Sequence, residues 1–263
     1  MTQPQEPKAS EPILNVPRIV LATVAVLVGV HLFRMFALSG AEDERFVLTF
    51  AFIPARYSIA PTVSGPFPGG FGAGLWTFFT YAFLHADSLH IGLNLAWLIP
   101  FGTALARRFG AFRFVLFMLV TAAAGALAQL VGSPGSPAPM IGASAAVSGA
   151  MAAAMRFIFQ PHGPLETWRD GARNGEAYRI PAVPLTAVLR DVRFLLFLGV
   201  WMGLNALFGI GAVSFAAEPG QQIAWQAHVG GFFAGLLLFT AFDPVPRGGQ
   251  TLDAEPPEPT EIT

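Results

Sequence analysis

Two polar residues inside apolar stretches of the sequence could perform nucleophilic chemistry. Ser144 lies in a run of small residues, 142–149, and His228 lies in a later stretch that also contains Gly231 and Gly235. A histidine buried in hydrocarbon is costly and is by default a functional hypothesis. An imidazole within about 3 Å of a serine hydroxyl can take its proton and make the oxygen nucleophilic. Ser144 and His228 are therefore a candidate Ser–His pair, with a packing serine and a structural histidine as the alternatives.

The spacing of the glycines predicts which face of the His228 segment meets another helix. At about 100° per residue in an α-helix, Gly235 lies about 20° and Gly231 about 60° from His228. Small residues let membrane helices approach closely, so we predict that Gly231, Gly235 and Gly142 are helix-packing positions. Ser144 is predicted at the N-terminus of its helix, where free N–H groups and the positive end of the helix dipole suit a developing oxyanion.

A third group of polar residues lies in an earlier apolar segment. His90 and Asn94 are four residues apart, so they project from one face of a helix. Both side chains can donate hydrogen bonds, which is what an oxyanion-binding site requires. His85 lies about 140° around the helix from His90, and we interpret it as a structural residue that holds loop backbone. We also interpret His31, in the first apolar segment, as structural.

The elements that position these residues are predicted to be membrane-spanning helices. Hydrophobic residues make up 54% of the chain and charged residues 12%, whereas soluble domains carry roughly 25% charged residues. The sequence is too poor in charge to cover a water-facing surface, so we predict an all-α, polytopic membrane protein. Six apolar segments are near the roughly 20 residues that a helix needs to cross the hydrocarbon layer: 19–38, 76–105, 112–131, 142–160, 194–216 and 223–243.

The positive charges are distributed unevenly around these spans. One side of the predicted membrane protein holds only Arg34, Arg45 and Arg56. All other lysines and arginines lie on the opposite side. The positive-inside rule therefore predicts that both termini are cytoplasmic. Residues 1–16 and 244–263 are rich in proline and glutamate and are predicted to be disordered cytoplasmic tails, the second of them acidic. Residues 17–243 then form one membrane domain.

Two connections on the other side of the membrane carry no charge. Residues 64–75 mix glycine and proline with apolar residues, and residues 132–141 contain three prolines and cannot be helical. Backbone without partners at membrane depth is tolerated only inside protein or beside a water-filled cavity. We therefore predict a water-filled cavity in the outer half of the protein. Ser144, about sixteen residues or roughly 24 Å from the helix end near Gln160, is predicted to face it.

Other functions are restricted by residues that the sequence lacks. There is no cysteine, His90 is not followed by the rest of an HExxH motif, and no pair of aspartates lies within the spans. Thiol, zinc and aspartyl protease chemistry therefore lack their residues. A net charge of −1 gives no basic surface for nucleic acid. The alternatives to an enzyme are a transporter and a haem or metal carrier with ligands among His85, His90 and His228.

Taken together, these residues resemble the rhomboid family of intramembrane serine proteases. The resemblance runs from about residue 20 to residue 243 and is carried by three motifs in the family's order. They are the histidine and asparagine motif of the second helix (His85, His90, Asn94), the nucleophile motif that opens the fourth helix (142–144), and the base with its glycine seam in the sixth helix (His228, Gly231, Gly235). The combination is specific, whereas each motif alone is weak.

The resemblance implies a six-helix rhomboid-like bundle and an enzyme. Its substrates would be single-pass membrane proteins, cleaved in or next to the transmembrane segment within the lipid bilayer, without a cofactor or metal. Ser144 would be the nucleophile and His228 the general base, with no third acid. The backbone N–H of Ser144 and the side chains of His90 and Asn94 would bind the oxyanion. The expected location is the bacterial cell (inner) membrane.

The sequence departs from the family pattern at two positions next to the candidate nucleophile. Ala145 follows Ser144 where the family often has glycine, and the added methyl group leaves the backbone N–H in place. Ser148 stands where the family often has an aromatic residue that packs on the histidine. The residues 64–75 resemble part of the family's first loop, which lies partly in the membrane.

Overall fold

The computed structural model describes four ranges of the chain: 15–58, 67–169, 175–209 and 223–246. Most of the two predicted tails lies outside these ranges, as do the end of the predicted fifth span and residues 64–66. The described residues form ten α-helices: α1 Arg18–Ala37, α2 Gly40–Phe50, α3 Gly70–Thr80, α4 Ser88–Phe109, α5 Ala111–Gly132, α6 Ser144–Ala154, α7 Pro164–Arg169, α8 Leu185–Val188, α9 Val192–Gly209 and α10 Trp225–Phe242.

Five of the helices, α1, α4, α5, α9 and α10, are long and apolar enough to cross a membrane. They contain 18 to 22 residues each, and α6 is a shorter apolar helix. At about 1.5 Å per residue, roughly 20 residues cover the hydrocarbon layer of about 30 Å. The predicted all-α, polytopic membrane fold is confirmed.

The prediction of one continuous helix over 76–105 is wrong. α3 ends before a 3-10 turn at Tyr81–Phe83, and α4 begins only at Ser88. Asp87 marks the new start, because its backbone is extended and its carboxylate accepts a hydrogen bond from the N–H of His90 at 2.7 Å. A side chain that caps a helix in this way satisfies an N–H group that has no partner within the helix. The second span is therefore α4 alone.

The two uncharged connections have different structures. The chain from Ser133 to Ala143 contains no helix, as its prolines predict. It is tied down near its end, because the backbone groups of Met140 and Phe52 exchange two hydrogen bonds of 2.8 and 3.1 Å. In the 64–75 segment, by contrast, the residues from Gly70 onward belong to α3. The connection from Ser133 to Ala143 leads directly into α6.

α6 is the central helix and is shorter than predicted. The span predicted at 142–160 is helical only over Ser144–Ala154, which is 11 residues. Beyond it, the N–H of Arg156 bonds to Ala153 O and that of Phe157 to Ala154 O, both at 3.1 Å. These i, i+3 bonds form tight turns and do not continue the helix. The sixteen-residue rise of roughly 24 Å predicted for Ser144 is therefore too long, since 11 residues rise only about 16 Å.

The burial of α6 explains how so short a helix fits into the membrane domain. Every residue of α6 after Ser144 is buried, and α4, α5 and α10 pack around it. Its side chains are alanines, serines, one glycine, one valine and one methionine, so the surrounding helices can approach its backbone closely. α6 is shielded from lipid by its neighbours and does not need to span the hydrocarbon layer itself.

The contact between α10 and α6 is a contact of backbone with backbone. A Cβ atom built on Gly231 would lie 2.1 Å from the carbonyl oxygen of Ala145, and one built on Gly235 would lie 2.1 Å from that of Gly149. A Cβ atom built on Gly149 would likewise lie 2.9 Å from the carbonyl oxygen of Gly231. No side chain fits at these positions without moving a helix. The glycines therefore set the distance between the helices that carry Ser144 and His228.

The C-terminal ends of α4 and α10 are held together by a buried ion pair. Arg108 lies at the end of α4 and bonds to both carboxylate oxygens of Asp243 at 2.9 Å, with side chains 0% and 9% exposed. Arg108 also donates to the carbonyl oxygens of Tyr178 and Ile180. The guanidinium lies over the ring of Phe157, 4.6 Å from its centroid. This anchor fixes α10 at the end remote from His228.

Candidate active site

Ser144 and His228 are in direct contact. The Oγ atom of Ser144 lies 2.8 Å from Nε2 of His228, although the residues are 84 positions apart. Ser144 is the first residue of α6 and His228 lies in the first turn of α10. Both residues are partly accessible, whereas their neighbours Ala145 and Ala227 are buried. A hydroxyl and an imidazole at this distance can exchange a proton.

Gly142 holds the turn that brings Ser144 to this position. Its φ angle is +119°, a conformation that residues with a side chain rarely adopt. Its N–H donates to the carbonyl oxygen of Tyr81 at 3.0 Å. Gly142 was predicted as a helix-packing position; it precedes α6 and lies against the side chain of His90 on α4. Glycine is needed there for its backbone conformation and because a Cβ would lie 2.7 Å from Nε2 of His90.

The N-terminus of α6 leaves backbone donors beside Ser144. Ala143 precedes the helix and supplies no side-chain cap. The first N–H groups of an α-helix have no partner within the helix, and the first bond of α6 is donated by Val147, to Ala143 O at 2.9 Å. The N–H of Ser144 is therefore available to a ligand. Ser148, one turn on, uses its hydroxyl to donate to the carbonyl oxygen of Ser144 at 2.7 Å.

His90 and Asn94 lie on α4 in contact with each other, and His90 lies beside Ser144. A Cβ atom built on Gly142 would lie 2.7 Å from Nε2 of His90 and 3.6 Å from Oγ of Ser144, so both side chains border the same small space. The side-chain amide of Asn94 donates to the carbonyl oxygen of His90 at 2.9 Å and is 5% exposed. That bond uses one of its two amide hydrogens. In this structure Asn94 bonds to its own helix and not to Ser144.

His85 supports the backbone that leads to Ser144. It is fully buried, and its Nε2 accepts a bond from the N–H of Ala143 at 3.5 Å. Its carbonyl oxygen accepts from the guanidinium of Arg34 at 2.8 Å. The rings of His85 and His90 lie edge to face, with centroids 5.1 Å apart. His31 is also buried, in α1.

Asn205 belongs to this site and was not predicted. It lies in α9 and is 4% exposed, and its Oδ1 is 2.9 Å from Nδ1 of His228. Its amide nitrogen donates to the carbonyl oxygen of Trp201 at 2.8 Å. The sequence carries a signal, because an amide in an apolar span costs free energy unless it is hydrogen-bonded. Its partner depends on how α9 is rotated against α10, which the sequence pattern does not give.

Neither ring nitrogen of His228 is free to bind a metal ion. One faces Ser144 and the other faces Asn205. Within the described ranges, no group of three or more histidine, aspartate and glutamate side chains could hold a metal ion. The residues brought together at the start of α6 thus offer a hydroxyl, an imidazole and several N–H donors, which are the groups that acyl transfer requires.

Comparison with known families agrees with this geometry. The sequence model of the Rhomboid domain matches residues 72–243, which include both Ser144 and His228. No curated protein matches the chain significantly. The match to the family covers more than half of the 263 residues. The chain therefore belongs to the rhomboid family, a family of intramembrane serine proteases.

Proposed function

We propose that this protein is an intramembrane serine endopeptidase that cleaves single-pass membrane proteins in or next to their transmembrane segment. Residues 17–243 would be the protease domain, with Ser144 as nucleophile and His228 as general base. The observation that carries the proposal is the 2.8 Å contact between Oγ of Ser144 and Nε2 of His228. Rhomboid proteases as a family act on transmembrane substrates, and some family members are inactive, so the contact between these two side chains supports activity in this chain.

The reaction would follow the two steps of serine protease chemistry. His228 Nε2 takes the proton of the Ser144 hydroxyl while Oγ attacks the scissile carbonyl carbon. The tetrahedral intermediate collapses, the peptide C–N bond breaks, and the proton on Nε2 passes to the leaving amine. A water molecule then gives a proton to Nε2 and attacks the acyl carbon. The bond between that carbon and Oγ of Ser144 breaks, and the proton on Nε2 returns to Oγ as the second product leaves. His228 therefore serves first as base and then as acid in each step.

The developing oxyanion would be bound at the start of α6. The N–H of Ser144 has no partner in its helix, and the positive end of the helix dipole favours negative charge at this place. Nε2 of His90 lies against Gly142, two residues before Ser144, and so lies close to the start of α6. Asn94 retains one amide hydrogen that is not used in its bond to His90. These three donors support the assignment of the oxyanion-binding groups.

The contacts of His228 argue against the alternative of a haem or metal carrier. A histidine ligand needs one ring nitrogen with a free lone pair directed at the metal. Both ring nitrogens of His228 have hydrogen-bond partners within 2.9 Å. A transporter is supported by no particular contact among the described residues. The serine protease remains the function that these contacts favour.

We also propose that both termini are cytoplasmic and that the protein lies in the bacterial inner membrane. Arg107 and Arg108 end α4 at the side remote from Ser144, and positive charge concentrates on the cytoplasmic side of membrane proteins. The chain has no cysteine, so single cysteines can be introduced near each end of the chain. Their reaction with a membrane-impermeant maleimide in intact cells would contradict this orientation.

The proposed function is tested by reconstitution into liposomes with a single-pass model substrate. We expect the wild-type protein to cleave the substrate in or beside its transmembrane segment, as located by mass spectrometry of the products. Neither a metal chelator nor a pepstatin-type inhibitor should change the rate, because no metal ion or aspartate takes part. Loss of cleavage with the chelator, restored by zinc, would contradict the mechanism, as would cleavage by a Ser144→Ala preparation.

Removal of one oxyanion donor should slow the enzyme without abolishing it. Losing a single donor costs on the order of 10² to 10³ in turnover, so we expect Asn94→Ala and His90→Ala to retain measurable activity. KM should change little, because the charge that they bind develops mainly in the transition state. The measurement is kcat and KM for the liposome-embedded substrate. Leu93→Ala, a lipid-facing change beside Asn94, is the matched control and should behave as wild type. Wild-type turnover in a folded Asn94→Ala would remove Asn94 from the site.

A further inference from the structure

We infer that Asn205 is a positioning residue that fixes the tautomer and the orientation of the His228 ring. The site would then work through a chain of three hydrogen-bonded side chains from α6, α10 and α9. This inference rests on the proposed roles of Ser144 and His228. It adds a residue on a different helix, since a Ser–His pair by itself leaves the second ring nitrogen unassigned.

The direction of each hydrogen bond follows from what each group can donate. The carbonyl oxygen of Trp201 can only accept, so the atom of Asn205 that faces it at 2.8 Å is the amide nitrogen. The oxygen of Asn205 therefore faces His228, at 2.9 Å from Nδ1. Because this oxygen can also only accept, Nδ1 must carry the ring proton.

The protonation of Nδ1 decides the chemistry at the other side of the ring. A neutral imidazole carries one proton, so Nε2 has a lone pair when Nδ1 is protonated. Nε2 is the atom that lies 2.8 Å from the Ser144 hydroxyl, and it can accept the proton of that hydroxyl. The opposite tautomer would direct an N–H at Ser144 and could not act as a base. Asn205 thus selects the tautomer that the proposed reaction needs.

Asn205 is itself held in place by the packing of α9 on α10. The indole of Trp201 stacks on the ring of Phe232, with centroids 4.5 Å apart and planes 25° apart. Trp201 is also the residue whose carbonyl oxygen holds the Asn205 amide. Only 4% of the surface of Asn205 is exposed, so its burial limits competition from water for the hydrogen bond to His228. Its orientation is therefore set before a substrate arrives.

An amide suits this position better than a carboxylate would in a membrane. An ionised aspartate in a span is costly, whereas the uncharged Asn205 oxygen accepts a hydrogen bond from Nδ1–H of His228. The same oxygen can keep that bond when His228 becomes a cation during the reaction. Cysteine proteases with a Cys–His–Asn arrangement use asparagine in this way. Since the amide adds no charge that stabilises the cation, its effect on rate should be smaller than that of a triad aspartate.

The kinetic test compares two substitutions of Asn205 with a neighbour on the same helix. Asn205→Leu has a similar volume and no acceptor, and we expect kcat to fall about 10- to 100-fold with KM little changed, less than the roughly 10⁴-fold cost of the wrong tautomer in a charged triad. Asn205→Asp keeps an oxygen acceptor and should recover most of that loss. Leu204→Ala, a lipid-facing change on α9, should leave kcat unchanged. Equal kcat in Asn205→Leu and wild type would overturn the inference, as would equal losses in all three variants.

A spectroscopic test reads the tautomer directly and needs no activity. ¹⁵N NMR of histidine-labelled protein distinguishes protonated from unprotonated ring nitrogens, and the signals of His228 among five histidines are assigned by their absence in His228→Ala. We expect Nδ1 to be protonated in the wild type and in Asn205→Asp, and the other tautomer to be populated in Asn205→Leu. A ring protonated at Nε2 in the wild type, or an unchanged tautomer in Asn205→Leu, would overturn the inference.

The two tests separate this inference from the proposed function. If the wild type has no activity and Ser144 does not react with a serine-directed probe, the proposed function fails, and the NMR spectra still decide whether Asn205 sets the tautomer. If the wild type is active while Asn205→Leu has wild-type kcat and an unchanged tautomer, the proposed function stands and the role of Asn205 fails.

Discussion

Ser144→Ala is expected to abolish covalent labelling of the protein by a serine-directed fluorophosphonate, and His228→Ala should reduce it strongly. The hydroxyl of Ser144 becomes nucleophilic only when a base takes its proton, and Nε2 of His228 is 2.8 Å away. Loss of either group in a serine protease costs on the order of 10⁶ in turnover. Cleavage of the liposome-embedded substrate should therefore fall to background in both variants. The measurement is gel fluorescence of the labelled protein together with peptide mapping.

Ser148→Ala is the matched control for this experiment. Ser148 lies one turn along the same helix and is buried, and its hydroxyl donates to the carbonyl oxygen of Ser144. A reagent that reacts with the serines of α6 without regard to activation would lose signal in both variants. We expect labelling to be retained in Ser148→Ala and to map to Ser144. Equal labelling of the wild type and Ser144→Ala would exclude Ser144 as the nucleophile.

Gly235→Leu is expected to cost at least about a hundredfold in activity, although it removes no reacting group. A Cβ at Gly235 would lie 2.1 Å from the carbonyl oxygen and 2.5 Å from the Cα of Gly149, so α10 must move away from α6. A displacement of about 1 Å between reacting groups can cost about a hundredfold in rate. Overpacking of this kind also costs about 1 to 3 kcal/mol of stability. The measurements are kcat and the midpoint of thermal unfolding in detergent.

Gly29→Leu is the matched control, because it makes the same substitution at a glycine whose added Cβ would contact no other helix. Gly29 lies in α1, and an added Cβ there would meet no atom within 4 Å. Both changes place a leucine in a membrane-spanning helix, so general effects on insertion or expression should be similar. We expect Gly29→Leu to keep wild-type kcat, with stability within about 0.5 kcal/mol of the wild type. Full activity in Gly235→Leu would show that α10 does not need to approach α6 closely for function.

Much of the fold and of the candidate site was predictable from residue types and their order. The apolar segments identified the membrane spans, because partition into hydrocarbon is a property of each segment by itself. Ser144, His228, His90 and Asn94 were identified because polar residues are rare and costly in such segments. The glycines 231 and 235 were placed on the His228 face because helical periodicity fixes the angle between residues of one helix. These are properties of single helices.

The tertiary structure decided which faces and ends meet. It paired Asn205 with His228, and it ended α6 at Ala154 inside a ring of other helices. It also gave Gly142 a positive φ angle in the turn before α6, where a packing role was predicted. Hydropathy and periodicity describe each helix relative to lipid, but they do not give the rotation or depth of one helix against another. Hydrogen-bond partners depend on that rotation and depth, so the partner of a buried amide such as Asn205 is known only once α9 and α10 are packed together.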